Sequence, residues 1–179
     1  MKLNKILSLA KGAKCIEIIN TPSAQWIKVP CAAYPLVGFP RITTREEALT
    51  MLGAPQKGFE DWHVSFVTGT NKDLFAIEND SDDAAKVITA ETFGLILSGT
   101  AYAVYATSRG VALVGRAFFL PPDAVSSVVD CDEFVRLMDG MFCVGVVEKH
   151  LLTPLEFENI ARLRSQCARI LEQETKEKG

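Results

Sequence analysis

The chain has 179 residues, of which 48% are hydrophobic and 23% charged, and 19 basic against 22 acidic residues leave a formal net charge of −3. That balance excludes an intrinsically disordered chain, which combines low hydrophobicity with high net charge. It also excludes a protein that coats nucleic acid by bulk positive charge, while leaving room for a local basic face.

Residues 3–11 predict a short amphipathic helix. Leu3, Ile6, Leu7 and Ala10 recur at helical spacing, and Lys2, Lys5, Ser8 and Lys11 take the other faces. Gly12 is placed to end it as the residue after the cap. Cys15-Ile16-Glu17-Ile18-Ile19 is β-branched and reads as a strand, Asn20-Thr21-Pro22-Ser23 as a turn, and residues 25–29 as the return strand of a hairpin. Pro30 and Pro35 demote the continuation to an edge or irregular segment. A second, short helix opens at Thr43-Thr44-Arg45-Glu46-Glu47, where Thr43 with Glu46 or Thr44 with Glu47 makes a capping box; Gly53 ends it and Pro55 blocks its continuation. Residues 62–67 alternate as a half-buried strand.

Residues 68–91 are the most polar stretch, with Asp73, Glu78, Asp80, Asp82, Asp83 and Glu91 outnumbering Lys72 and Lys86. They read as a linker or acidic loop, interrupted by a short strand at 74–77. Beyond them, residues 93–97, 102–106 and 111–114 form a meander whose turns are Ser98-Gly99 and Ser108-Arg109-Gly110. Residues 116–120 read as one helical turn closed by Pro121-Pro122, and Asp130, Asp132 and Glu133 as turn residues or first-turn helix acids. Residues 134–138 and 141–147 flank Asp139-Gly140, the strongest hairpin signal in the chain. The longest helix is expected over 154–176. Thr153 is its N-cap, Pro154 its first residue and Glu156 the partner in a capping box; Phe157, Ile160, Leu163, Cys167, Ile170 and Leu171 form its apolar stripe.

The expected fold class is therefore α+β: antiparallel hairpins and a meander, packed by an N-terminal helix, a short middle helix and a long C-terminal helix. A hairpin followed by a capped helix occurs at 15–52 and again at 134–176. Either residues 1–179 form a single α+β domain with a loop insertion, or two related halves (1–67 and 92–179) are joined by the acidic 68–91.

Five cysteines, Cys15, Cys31, Cys131, Cys143 and Cys167, are widely spaced with no Cys-x-x-Cys pair, so neither a zinc ribbon nor a dithiol redox motif is written here. Their apolar surroundings read as buried, reduced thiols, which suits a cytoplasmic protein. The N-terminus is too short in apolar run, and too interrupted by Lys11 and Lys14, for a signal peptide. No run approaches the ~20 apolar residues of a membrane span.

Local chemistry is sparse. His63 and His150 have no second metal ligand at useful spacing, and no phosphate-binding glycine loop or nucleophile elbow is present. The run from Asp80 lacks the glycine that a calcium loop needs at its sixth position, where Ala85 stands. Neither a metal nor a cofactor is expected. A Cys143–His150 pair, met only through tertiary folding, is the one nucleophile arrangement to test. One charge asymmetry stands out. Lys2, Lys5, Lys11 and Lys14 precede any acid, and Arg162, Arg164 and Arg169 cluster in the last helix. If these faces adjoin they can contact phosphates; otherwise they are solvated helix surface, with Glu158 pairing Arg162.

Cys15-Ile16-Glu17-Ile18-Ile19, Gln25-Trp26 and Ala33-Tyr34-Pro35-Leu36 resemble the opening of a family of small uncharacterised proteins carried by prophages and mobile elements of Gram-positive, Firmicutes-type bacteria. Residues from Arg109-Gly110-Val111 through Phe118-Phe119-Leu120-Pro121 are similar to that family's second half. So are Gly145-Val146-Val147, Leu152-Thr153-Pro154 and Glu158-Asn159-Ile160-Ala161. Together they span about half of the chain. The order of a helix followed by hairpins also resembles a sliding-clamp domain of DNA replication, with no clamp motif matched residue by residue. The resemblance implies the setting of a phage or mobile element and no activity; the lack of a local catalytic constellation is what points to a non-catalytic binding or accessory protein, whose leading form is associated with DNA replication and clamp-like, with DNA or protein as partner. The alternatives are an enzyme using Cys143 and His150, or a regulatory protein–protein module. An edge strand such as 93–97 offers a route to homo-oligomers.

Overall fold

The computed structural model describes residues 1–68, 86–88, 91–107, 110–131, 133–156 and 158–159; the side chains of 86–88, 91–93, 106–107 and 110–111 are not part of that description. The chain divides into two compact units, Met1–Lys149 and His150–Gly179.

The first unit is built on a mixed sheet. Helix α1 (Leu3–Ala10) precedes strands β1 (Cys15–Asn20), β2 (Gln25–Val29) and β3 (Ala32–Pro35), then α2 (Arg45–Met51), a 3-10 turn (Phe59–Asp61) and β4 (His63–Thr68). Strands β5 (Lys86–Ile88), β6 (Glu91–Leu97), β7 (Thr100–Thr107) and β8 (Gly110–Gly115) follow. A second 3-10 turn (Arg116–Phe119) leads to β9 (Ser127–Cys131), β10 (Phe134–Asp139) and β11 (Phe142–Glu148). Seven longer strands run in the order β4-β1-β2-β3-β11-β10-β9, with three-residue β5 beside β9; β6-β7-β8 form a separate antiparallel sheet. The α+β class holds among the described residues.

Both expected hairpins form. β1 pairs β2 from Glu17↔Lys28 to Asn20↔Gln25, and β10 pairs β11 with an irregularity between Leu137 and Met138. In the small sheet, Ser98 and Gly99 both take positive φ, 48° and 80°. That is the signature of the two-residue turn whose twist matches its flanking strands. Both expected caps also form. The Glu47 N–H donates to Thr44 Oγ1 at 3.2 Å and the Thr44 N–H to Glu47 Oε2 at 3.1 Å. Gly53 at φ +76°, with Gly53 N–H donating to the Thr50 carbonyl and Ala54 N–H to that of Leu49, closes α2. In the second unit, Thr153 and Glu156 make the reciprocal pair, and residues 154–156 and 158–159 are helical. The remainder of the expected 154–176 helix lies outside the described residues, as does the strand expected at 74–77.

Several expectations need correction. The sheet is not wholly antiparallel, because β4 pairs parallel with β1 from Cys15↔His63 to Asn20↔Thr68. The connection between them, 42 residues long by number from Asn20 to His63, carries β2, β3 and α2 and so allows the strand to return in the same direction. β3 is central and wholly buried, not an edge. Its prolines do no harm where they stand. Pro30 precedes the strand, and the Leu36 N–H donates to the Gln25 carbonyl at 2.7 Å. By alternation the missing N–H at Pro35 points toward β11, whose pairing covers only Ala32 and Ala33. Part of the acidic 68–91 stretch is strand β5, paired with β9. Asp130 is a buried strand residue instead of a turn or helix acid. Gly12 does not end α1 in the left-handed conformation; Lys14 does, at φ +47°.

The core explains the sequence's apolar runs. On one face of the sheet Ile16, Ile18, Ile27, Tyr34, Val135, Leu137 and Val147 meet Ile6 and Ala10 of α1, Ala48 and Leu49 of α2, and Ala103, Tyr105 and Val114 of the small sheet. On the other face Ile19, Trp26, Ala33 and Val146 form a second buried cluster. Strands apolar on both faces read as unbroken hydrophobic runs instead of alternating ones. Each fully buried Ile or Leu contributes about 1.5–3 kcal/mol.

Candidate functional site

The N-terminal lysines lie on α1, at its two caps and just beyond it. Ile6 and Ala10 face the core, while Lys2, Lys5, Lys11 and Lys14 are all exposed. The Lys2 N–H donates to the Pro121 carbonyl at 2.7 Å, which ties the helix start to the 121–123 segment. There the N-terminal ammonium contacts Asp123, and its hydrogen bond, helped by the nearby charge of Lys2, holds the Asp123 carboxyl below its ordinary range. Lys14 is committed otherwise. Its Nζ lies 2.7 Å from Asp61 Oδ2, and its carbonyl accepts from the His63 N–H at 2.8 Å. It is a corner residue joining the α1 exit to β4. Lys2, Lys5 and Lys11 are thus the exposed lysines on α1 and its two caps. Arg162, Arg164 and Arg169 lie outside the described residues, as do Ser108, Arg109 and the acidic run at 80–83.

The Cys143–His150 pair belongs to two different units. Cys143, in β11, donates its thiol to the Gly145 carbonyl at 3.4 Å. Burial pushes that thiol up, against the Gly145 bond and the charge of Arg136. A thiol nucleophile needs the opposite shift, since the thiolate is the reactive form. His150 Nε2 lies 3.5 Å from Glu156 Oε2, inside its own unit. The Glu156 carboxyl is held below its ordinary value by the Thr153 backbone N–H and then the Thr153 hydroxyl. Of the other cysteines, Cys131 is buried as expected, but Cys31 is exposed and takes a left-handed φ of +64° in the β2–β3 turn. Burial, then Glu148, raises its thiol as well. Among the described residues, no cluster of three or more His, Cys, Asp or Glu is placed to hold a metal. No helix among them is long and apolar enough to cross a membrane.

Two features escaped sequence reading. The first is an ion pair, Lys149 Nζ to Asp130 Oδ1 at 2.8 Å, with both side chains largely buried. It sits where the Lys149 N–H donates to the Glu133 carbonyl, so it locks the end of β11 to the β9–β10 turn. The second is an apolar sheet end. β3 and β11 are antiparallel neighbours, so the end of β3 and the start of β11 lie together. There Val37 is 75% exposed, Met141 90% and Phe142 76%.

This end is braced. Gln25 Nε2 donates to Asn20 Oδ1 and to the Ile42 carbonyl, both at 2.9 Å, and the Ile42 N–H returns a bond to Gln25 Oε1 at 2.8 Å, pinning the loop that carries Val37. Across the hairpin tip, the Ser126 N–H donates to the Met138 carbonyl at 2.7 Å, and the Gly140 N–H donates to Ser126 Oγ at 2.8 Å. The signal was present in the sequence. Asp139-Gly140 is followed at once by Met141-Phe142, two large apolar residues where a hairpin tip ordinarily carries polar ones.

No protein-family model, no curated protein and no solved structure matches this chain.

Proposed function

We propose that the protein is a non-catalytic binding or accessory protein, of the kind carried by phages and mobile elements, that works by seating a protein partner on the end of its large sheet. The observation that carries this reading is the exposed pair Met141 and Phe142 on a hydrogen-bonded hairpin tip, at the same sheet end as Val37. Met and Phe are enriched at interface cores, and a few desolvated anchors carry most of a binding energy. Rigid presentation reduces the ordering entropy that association costs. The resemblance to small prophage proteins supplies the setting.

The test is recovery of partners from cells carrying the element, with the wild type and the Met141→Ser/Phe142→Ser double variant as baits. A supporting result is a protein held by the wild type, lost by the variant, and shown by calorimetry with purified components to bind the variant at least about tenfold more weakly. A purified partner bound equally by both overturns the reading.

A second reading is DNA contact, in its replication-associated, clamp-like form. It is favoured by the exposure of Lys2, Lys5 and Lys11 along one helix. Anisotropy of labelled single- and double-stranded DNA at two salt concentrations tests it. Phosphate contact weakens steeply with salt and further in Lys2→Glu/Lys5→Glu/Lys11→Glu. No binding at low salt removes this reading for the free protein.

A further inference from the structure

We draw no further inference here: the strongest candidate, the apolar tip of the β6–β7 hairpin, where Ile96 is 73% exposed near the Ser98-Gly99 turn, is a surface patch on the small sheet, and nothing in the structure shows what covers it.

Discussion

β3 and β4 are short strands of one sheet, and their composition points the wrong way for both. β3 ends in one proline and follows another, yet it is central and buried at all four positions. β4 has no proline and no charge, yet among the described residues it is the outermost strand and only half buried. Proline matters in a strand only where its missing N–H would have had a partner. Place in the sheet is set by which edges the other strands use. Tyr34 makes the contrast concrete. Its ring is fully buried against the backbone of Gly145, and its hydroxyl donates to the Phe118 carbonyl at 2.9 Å, which ties β3 to the turn after the small sheet.

The sharpest way to break the comparison is to truncate one aromatic in each strand. Tyr34→Ala should destabilise the fold by about 3–5 kcal/mol, because it removes a buried ring and leaves a cavity. Phe66→Ala, with part of its surface already in water, should cost about 1–2 kcal/mol. Urea midpoints at a fixed, low protein concentration measure both; equal losses would mean that β4 is as central to the core as β3.

Next in size is Gly145→Ala. An added Cβ would lie 3.0 Å from Tyr34 Cδ1 and 3.1 Å from Cε1. Crowding an aromatic ring fixed in a packed core should cost about 1–3 kcal/mol. A neutral result would show that the Tyr34 ring can move aside, and that β3 is held less tightly than its burial implies.

Away from the sheet the effects shrink. Thr44→Ala removes the side-chain acceptor of the α2 cap and should cost about 1 kcal/mol. The smallest effect is one of pH. Bonds from the Thr43 backbone and hydroxyl, then the Thr44 backbone, hold the Glu47 carboxyl below its ordinary value. A carboxyl lowered in the folded state stabilises above its unfolded pKa, and the contribution is lost as pH falls through the folded value. Wild type should therefore lose more stability than Glu47→Gln between neutral and acid pH, as read from urea midpoints across that range. Parallel curves would mean that the cap bonds do not distinguish the ionised carboxylate.

Those two capping boxes, Thr44 with Glu47 and Thr153 with Glu156, were legible because donor and acceptor lie three residues apart and need only a helix start to meet. The same locality made the Asp139-Gly140 hairpin and the Ser98-Gly99 turn readable. Of the candidate sites, the exposure of Lys2, Lys5 and Lys11 followed from helical spacing around Ile6 and Ala10. The commitment of Lys14 to Asp61 did not, since the two meet across 47 positions.

The sequence by itself determined the α+β class, the hairpins, the turn residues and the caps, all set by interactions within a few residues of chain. Only the tertiary structure decided the rest. It put β4 parallel to β1, moved β3 to the centre, buried Asp130 against Lys149, and set Val37, Met141 and Phe142 at the same end of the sheet. The physical reason is that a strand's hydrogen-bonding edges carry no side-chain signature. Which edges are filled, and therefore which residues are sheltered or left at a margin, depends on chain segments that meet only when the sheet closes.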